Sequence, residues 1–466
     1  MKRKPTFIEA LVPLLGMVLL LGIGYGKYGL PIQFLLIVAA FIASIIAKRC
    51  GYTWQDMITG IADKIQSSLP SLLVMVCVGA MIGSWMVSGT IPMLIYYGIK
   101  IIDPQFLFVT AFFVTAVIST FTGTSFGSAG TAGVAIMGIA IALGVPLEIA
   151  AGAVISGAVF GDKLSPLSDT TMLAPIAAGT DLYSHIRHML YTTGAATITC
   201  MIVFTVVGLN MDVSTMTNPE TVNAILGNLE QLYHFNLLLL LPPALIIWGA
   251  YTKKPTIPML LLASVIAILM GMYFQGFGLK TALQAFVNGF KVTMIPGAAD
   301  IKVVKPIITL LNRGGLMGMM STVLLVFCAF AFAGIFSKAG CIEVVLERII
   351  GAIHSVGQLI TATIGSALFM SIVTGSSYLA ILIPGEMFRD LYKKFDLDPK
   401  NLSRSLEDAG TCAVPIVPWS VAGTYMATTL GVPTTSYLPW AVLCYSSMIF
   451  AIIFGFTGFG IAKLKK

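Results

Sequence analysis

Charged side chains are scarce in this chain. Of its 466 residues, 10% are charged and 57% are apolar, whereas a soluble globular domain carries about 25% charged residues. This composition excludes a soluble domain. Long apolar runs predict ten to twelve helical membrane crossings, each needing about 20 residues. Because the runs are continuous rather than alternating, helices are favoured over a membrane barrel, whose strands need only about 10 residues.

Motifs for metal binding and ATP use are also missing. The seven cysteines form no Cys-x-x-Cys pair, so neither a disulfide framework nor a zinc site is predicted. There is no Walker-type phosphate loop, so no motif supports ATP-driven transport. There is also no His-Glu-x-x-His sequence, which binds zinc in metalloproteases. We therefore expect no enzyme and no cofactor. The net charge of +7 is typical of basic cytoplasmic loops in membrane proteins, and we expect no nucleic-acid partner.

Two stretches of the chain repeat each other at a separation of 252 positions. Residues 122–126 (TGTSF) return as 374–378 (TGSSY), and residues 164–168 (LSPLS) return as 416–420 (IVPWS). Duplication in an apolar chain is typical of secondary transporters, whose two repeats enclose a binding site near the membrane midplane. The predicted organisation is a first transmembrane repeat over 1–209, a linker over 210–234, and a second repeat over 235–466 with an insertion near 294–315.

The distribution of charge predicts the membrane sidedness. Both ends of the chain are basic, whereas the linker carries Asp212, Glu220 and Glu230 without Lys or Arg. The positive-inside rule then places both termini in the cytoplasm of a multi-pass protein of the cytoplasmic membrane. Each repeat must have an odd number of crossings, so inverted repeats are predicted. This scheme places four basic residues on the non-cytoplasmic side of the membrane, where we expect them on an interfacial helix: Lys291, Lys302, Lys305 and Arg313.

Stretches rich in Gly, Ser and Thr predict two re-entrant hairpins, over 121–144 and 374–393. Non-helical backbone is tolerated at membrane depth only where protein or a water-filled cavity satisfies its polar groups. The hydroxyls and carbonyls of Thr122 and Ser125 could then bind a hard cation. The alternative is that small residues here let transmembrane helices pack closely.

Residues 161–171 (GDKLSPLSDTT) combine one proline, two carboxylates and four hydroxyls. Proline removes a helical hydrogen bond, so a helix over 147–175 is predicted to unwind here. An ionised Asp at the bilayer centre costs about 3 kcal/mol on insertion scales, and such residues normally face a cavity. An ion or substrate site is therefore predicted. The alternative is that Asp162 pairs with Lys163 in an interfacial loop.

The counterpart in the second repeat, an unwound helix over 402–430, carries different side chains. In the 252 register Val414 aligns with Asp162 and Asp408 with Ser156, so the carboxylates are not duplicated. Glu407 and Asp408 are candidate proton carriers, because a proton and a cation compete for one carboxylate. The alternative is an interfacial cluster in which both pair with Arg404.

Residues 161–175, together with 122–125 (TGTS) and 407–411 (EDAGT), resemble the NhaC family of Na⁺/H⁺ antiporters, and the resemblance covers essentially the whole chain. It implies Na⁺-coupled secondary transport, with Na⁺ and H⁺ as transported ions. It also implies a scaffold domain, a homodimer, and a transport domain with two hairpins and two unwound helices. The Na⁺ ligands that it implies are Asp162, Ser165, Ser168, Asp169 and Thr171, helped by Thr122 and Ser125.

The substrate remains open at this point. The same family includes exchangers of organic acids, notably of malate and protons against Na⁺ and lactate, and amino-acid carriers. The sequence predicts Na⁺/H⁺ exchange, and an organic-acid exchanger is the alternative. A passive channel would explain the oxygen-rich hairpins, but not an ionisable, asymmetric pair of broken helices. The polar residues suited to binding a carboxylate are Thr374, Ser376, Ser377, Thr411 and Ser420.

Overall fold

The chain is almost entirely helical in the computed structural model, which describes residues 2–212, 219–351 and 353–464. Within these ranges nine helices are long and apolar enough to cross a membrane, or up to eleven if each bent pair counts as one crossing. The predicted all-α multi-pass membrane protein is confirmed.

Residues 213–218 of the predicted linker lie outside the described residues. The helices are α1 (Phe7–Leu19), α2 (Ile32–Arg49), α3 (Trp54–Ser88), α4 (Thr90–Ile101), α5 (Leu107–Thr122), α6 (Ser125–Leu143), α7 (Leu147–Leu164), α8 (Asp169–Ala178), α9 (Leu182–Leu209), α10 (Pro219–Leu232), α11 (Leu241–Tyr251), α12 (Thr256–Phe274), α13 (Leu279–Asn288), α14 (Lys305–Leu311), α15 (Met320–Lys338), α16 (Cys341–Ile350), α17 (Val356–Thr374), α18 (Ser377–Lys394), α19 (Pro399–Gly410), α20 (Val421–Leu430), α21 (Thr434–Tyr437) and α22 (Val442–Thr457).

Helix ends recur between the halves at the 252-residue separation. α5 and α17 end at equivalent positions, and each is followed by a glycine in the left-handed region, Gly123 (φ 66°) and Gly375 (φ 62°). Glycine adopts this conformation without the steric cost that other residues meet. The helices that follow begin in the same register: α6 with α18, α7 with α19, α8 with α20, and α9 with α21. The two halves share one helical plan, while their inverted orientation stays a prediction.

Each predicted hairpin segment consists of a helix end, a two-residue break and one further helix. The first break is Gly123 and Thr124, after which α6 runs to Leu143 with one π-helical stretch, Ala129–Gly133. The second break is Gly375 and Ser376, followed by α18. The bend of each predicted hairpin therefore lies at its beginning, and the rest of the segment is helical.

The predicted unwound helices are interrupted as follows. α7 ends at Leu164 and α8 begins at Asp169, with Pro166 between them. The second interruption is longer, from α19 to α20, and contains one 3₁₀ turn, Val414–Ile416. Proline cannot donate the helical hydrogen bond, which explains why both helices stop here.

The broken helices pack across the two halves. α8 contacts α18 and α19 of the second half, and α20 contacts α6 of the first. Likewise α7 contacts α22, and α9 contacts α19. Equivalent helices thus make equivalent contacts in both directions, as in an isologous interface. The space between the breaks is consequently shared by both halves.

The insertion near 294–315 folds against the linker helix α10. The Asn228 side chain of α10 accepts a hydrogen bond from Val304 N (2.9 Å) and donates one to Lys302 O (3.3 Å). This contact anchors the backbone around the basic residues of the insertion. The side of the membrane on which these basic residues lie stays a prediction.

Candidate functional site

A cavity of about 170 Å³ lies where the breaks of both halves meet. It is several times the roughly 30 Å³ that one water molecule takes up in the liquid. α3, both hairpin breaks and both unwound segments form its wall. The predicted site residues on this wall are Thr122, Ser125, Asp162, Ser168 and Asp169 from the first half, and Ser376, Ser377 and Thr411 from the second.

The Asp162 carboxylate is held between the two breaks of the first half. Ser168 Oγ donates a hydrogen bond to Asp162 Oδ1 (2.7 Å), and Ser125 N donates one to Oδ2 (3.2 Å). Ser125 is the first residue of α6, so the carboxylate lies at the positive end of a helix dipole. The break thus presents a carboxylate to the cavity in a fixed orientation.

Residues 123–127 read Gly-Thr-Ser-Phe-Gly, which also matches the nucleophile motif of α/β hydrolases. That motif requires a strand before the serine and a helix after it. Here α5 precedes the serine and α6 begins with it. Ser125 therefore follows a helix rather than the strand that a nucleophile elbow requires.

Two predicted Na⁺ ligands turn to the backbone instead of the cavity. Ser165 Oγ donates to Thr120 O (2.7 Å), which joins the break to the end of α5. Thr171 Oγ1 donates to the carbonyls of Asp162 and Lys163 (both 3.0 Å). Carbonyls freed by the break find partners in this way, as buried polar groups require. In this conformation these hydroxyls position the break.

Two of the predicted substrate-binding hydroxyls have the same role in the second half. Thr374 Oγ1 donates to Met370 O (2.7 Å) within the last turn of α17. Ser420 caps α20, because its Oγ accepts a hydrogen bond from Gly423 N (2.8 Å) and donates to Val417 O (2.9 Å). Ser376, Ser377 and Thr411 lie on the cavity wall.

Asp169 is the exposed carboxylate of the cavity. Its Oδ2 accepts a hydrogen bond from the hydroxyl of Tyr378 (2.9 Å), which belongs to α18. The first unwound segment is therefore linked directly to the hairpin helix of the other half. The sequence comparison matched Tyr378 to Phe126, and the shared aromatic character concealed this hydroxyl.

A fully buried ion pair connects the two unwound helices. Lys163 of α7 pairs with Asp408 of α19, and neither side chain is exposed. Thr192 Oγ1 of α9 donates to the same Asp408 oxygen (3.0 Å). Removing one partner of such a pair typically costs about 3–5 kcal/mol, because a buried charge is left uncompensated. The pair therefore holds the two halves together beside the cavity.

This ion pair corrects two alternatives from the sequence. Lys163 pairs with Asp408 rather than with its neighbour Asp162. Arg404 instead donates from Nη1 to Gly460 O (2.9 Å) near the C-terminus. Sequence adjacency suggested both local pairings, whereas the packing between the halves decides the actual one.

Glu407 lies behind the cavity wall and is fully buried. Its Oε1 accepts a hydrogen bond from Thr411 Oγ1 (2.7 Å), and Thr411 lines the cavity. Among the described residues Glu407 Oε2 has no hydrogen-bond partner. The Thr411 hydroxyl therefore lies between the buried Glu407 carboxylate and the cavity.

Comparison with known proteins agrees with the resemblance read from the motifs. A model described as the Na⁺/H⁺ antiporter family matches residues 97–173 and 157–459. The chain belongs to the Na⁺/H⁺ antiporter family. It is similar to an uncharacterized Na⁺/H⁺ antiporter of Haemophilus influenzae, with 50% identity over 464 residues, which cover 100% of this chain and 98% of the relative.

Two further relatives of this antiporter-family chain carry more specific names. The Na⁺/H⁺ antiporter NhaC of Alkalihalophilus pseudofirmus is 38% identical over 429 residues, 92% of this chain and 90% of the relative. The malate-2H⁺/Na⁺-lactate antiporter of Bacillus subtilis is 35% identical over 462 residues, 98% of this chain and 96% of the relative. Both of the transport activities expected from the motifs are thus represented among its relatives.

The polar donor atoms on the cavity wall are mainly oxygens. Within the described part of the chain, no group of three or more His, Cys, Asp or Glu side chains could hold a metal ion. The cavity wall offers a cation the carboxylates of Asp162 and Asp169 and the hydroxyl and carbonyl oxygens around them. Oxygen ligands of this kind are those that hard cations prefer.

Sequence reasoning missed the contribution of α3. Ser68, Pro70 and Ser71 line the cavity together with Thr124 and Thr170. The available signal was a proline, Pro70, with Ser67, Ser68 and Ser71 beside it, where the polar early part of α3 gives way to an apolar run.

Proposed function

We propose that this protein is a secondary active transporter that exchanges Na⁺ for H⁺ across the cytoplasmic membrane. The observation that carries the proposal is the Asp162 carboxylate on the wall of a cavity shared by both halves. A nearby cation favours the charged form of a carboxylate and a proton removes that charge, so the two ligands compete. Competition for one group produces exchange, and membership in the Na⁺/H⁺ antiporter family supports this reading.

In this proposal Na⁺ binds to Asp162 together with the oxygens of Ser125, Ser168 and Thr122. Protonation of the carboxylate releases the ion. Glu407, reached through the Thr411 hydroxyl (2.7 Å), supplies a second place for a proton. Asp408 is already engaged with Lys163, so Glu407 is the better proton carrier of the two predicted carboxylates.

We further propose that access alternates by movement of the hairpin helices and unwound helices against the remainder. The buried pair of Lys163 and Asp408 joins the unwound helices of both halves, so they move as one body. A homodimer, with the remaining helices as its scaffold, stays a prediction.

The test is transport by the purified full chain in proteoliposomes with an internal pH dye. External Na⁺ is expected to raise the internal pH, and Asp162→Asn is expected to slow the change about 100-fold. An imposed pH gradient should also drive Na⁺ uphill, which a channel cannot do. Equal responses from Asp162→Asn and the unmodified chain would contradict the proposal.

A second candidate is exchange of an organic acid coupled to Na⁺ and H⁺. It is favoured by the hydroxyls of Ser376, Ser377 and Thr411 on the same cavity wall and by the malate/lactate relative. Proton movement that requires malate or lactate in addition to Na⁺ would select it. Proton movement with Na⁺ alone would select the first candidate.

A further inference from the structure

An apolar groove of about 260 Å³ runs along α11, which forms one side of it, while α4, α5 and α6 form the other. Pro243, Ile246 and Ile247 line the groove from α11. They are three or four positions apart, so they share one face of the helix. The Thr131 hydroxyl on the opposite wall already donates to Gly127 O (2.8 Å). The groove is therefore suited to a hydrocarbon chain.

The groove continues into a second space of about 280 Å³ beside the ion cavity. Ile246 lines both the groove and the second space. Asp169 and Thr256 line both the second space and the cavity. Lys253 and Lys254, which follow α11, are exposed and also line the second space. An apolar groove thus ends at a pair of lysines near the mouth of the cavity.

The groove has the opening and the length that a membrane lipid requires. Val114 of α5 and Ile247 line it and are 38% and 42% exposed, so it is open toward the surrounding membrane. Together the groove and the second space follow α11 from Leu240 to Ala250, about 15 Å at 1.5 Å per residue. This is about half of the roughly 30 Å hydrocarbon core of a bilayer. The lysines come directly after this stretch, at the depth where a lipid headgroup lies.

The charge at the end of the groove is positive and uncompensated. Among the described residues neither Lys253 nor Lys254 forms an ion pair. The Asp169 carboxylate on the same wall accepts a hydrogen bond from Tyr378 (2.9 Å). α12 begins at Thr256, and no side chain caps it. Lysines and the first amides of a helix both attract anions, so this end of the groove suits a phosphate group.

The backbone of Lys253 lies in the left-handed region (φ 56°). Lys253 N donates to Ala250 O (3.0 Å), and Lys254 N donates to Gly249 O (2.8 Å). This is the Schellman arrangement of a helix end, in which the left-handed residue is usually glycine. Lysine meets a steric cost there that glycine avoids. Helix capping alone would favour glycine, so a structural role leaves the lysine side chain unexplained.

We propose that the groove along α11 binds one anionic phospholipid of the bilayer. An acyl chain lies in the groove, and the phosphate lies at Lys253, Lys254 and the start of α12. Basic pockets between transmembrane helices bind anionic lipid headgroups in this way. The phosphate neutralises the two lysines beside Asp169. The inference goes beyond the proposed function, because the site does not depend on which solutes are exchanged.

The first experiment counts lipids bound to the detergent-solubilised full chain by native mass spectrometry. One phosphatidylglycerol per chain is expected at a concentration where phosphatidylcholine with the same acyl chains does not bind. The double variant Lys253→Gln, Lys254→Gln should weaken this binding at least about tenfold. The matched control is Lys393→Gln, Lys394→Gln, because these are also adjacent exposed lysines at a helix end. It should bind phosphatidylglycerol as the unmodified chain does.

A single variant separates lipid binding from helix capping. Lys253→Gly suits the left-handed backbone better, so the thermal midpoint without lipid is expected to rise. Binding of phosphatidylglycerol should nevertheless weaken about fivefold, because one of the two charges is lost. A lower midpoint with unchanged lipid binding would show that Lys253 has a structural role only, and would contradict the assignment of its charge to the phosphate.

The second experiment locates the acyl chain with phosphatidylglycerol that carries bromine on its acyl chains, because bromine quenches a tryptophan that it touches. Trp85 lines the groove and is fully buried, so lipid outside the groove does not reach it. The quenching that disappears in Trp85→Phe therefore reports the groove. Val114→Phe narrows the opening and should reduce this quenching. Val117→Phe is the matched control, because Val117 is exposed on the same helix away from the groove wall.

Four outcomes would overturn the inference. Phosphatidylcholine binds as tightly as phosphatidylglycerol, or the Lys253→Gln, Lys254→Gln variant binds phosphatidylglycerol as the unmodified chain does. Soluble glycerol 3-phosphate displaces the lipid, which would make the lysines a site for free anions. Brominated lipid binds but leaves Trp85 unquenched. The mass measurement decides the inference even if Trp85→Phe does not fold. Absence of Na⁺-driven proton movement would contradict the proposed function and leave these binding results intact, so the two failures are distinguishable.

Discussion

The two unwound segments share one backbone plan and differ in what their equivalent serines do. Ser168 and Ser420 both stand at the N-cap of the second helical piece. Ser420 caps its helix by accepting from Gly423 N (2.8 Å), whereas Ser168 donates to the Asp162 carboxylate (2.7 Å). In the first break the serine hydroxyl thus bonds to the Asp162 carboxylate, while in the second break it keeps the ordinary capping role.

The carboxylates of the second half lie elsewhere. Glu407 and Asp408 are at the end of α19, before its break, and both are fully buried. One of them neutralises Lys163 of the first half, and the other reaches the cavity through Thr411. The two halves therefore share the positions of their breaks and differ in which carboxylates lie beside them.

The largest expected effect is on stability, at the ion pair that joins the breaks. Lys163→Met and Asp408→Leu should each lower the free energy of unfolding by about 3–5 kcal/mol, because each leaves one buried charge uncompensated. The double variant should recover much of this loss. Unfolding of all four proteins in detergent would measure it, and additive losses would show that the pair is not a unit.

The next effect is on transport, and it separates the two aspartates of the first break. Asp162→Asn should lower Na⁺-driven proton flux by about 100-fold, about 2.7 kcal/mol. Asp169→Asn is the matched change at an exposed carboxylate, and it should lower the flux much less. Initial rates in proteoliposomes decide this, and a greater loss in Asp169→Asn would reverse the assignment.

A smaller effect compares the two hairpin breaks. Alanine at either positive-φ glycine costs about 1–2 kcal/mol. At Gly123 the added Cβ would also lie 2.7 Å from the carbonyl carbon of Leu167, whereas at Gly375 the nearest atom, Ser420 Cα, is 3.2 Å away. Gly123→Ala should therefore lower the thermal midpoint more than Gly375→Ala. Equal shifts would mean that the tighter contact at Leu167 relaxes without cost.

The smallest effect concerns the hydroxyl between Glu407 and the cavity. Thr411→Val removes the donor to Glu407 Oε1, and one hydrogen bond contributes about 0.5–1.5 kcal/mol net. We expect the proton flux to fall several-fold, with Thr411→Ser restoring it. If Thr411→Ser is as slow as Thr411→Val, the loss comes from packing rather than from the hydroxyl.

Helix ends were the most predictable part of this protein. Glycine and proline act locally, so the repeated Gly123 and Gly375 and the single Pro166 indicated the breaks directly. The orientation of hydroxyls within a break was not predictable, because unwound backbone has no periodicity. Ser168 faces the cavity, while Ser165, three positions earlier, bonds to Thr120 O.

Contacts between distant parts of the chain were also beyond sequence reasoning. Lys163 and Asp408 are 245 positions apart, and each has a nearer charged neighbour with which the alternative interpretations paired it. Lys64 lies in the polar early part of α3, where its burial follows from packing against α15. Such pairings depend on how the halves meet, and no local signal in the sequence reports that.

The reciprocal packing of α8 on α18 and of α20 on α6 also bears on the origin of the chain. A half-length ancestor would have exposed its broken helix unless a second copy covered it. Such an ancestor would have needed a second copy, and fusion of the two copies would have let each change independently. The two halves of the present protein, produced as separate chains in one membrane, are accordingly expected to assemble with each other.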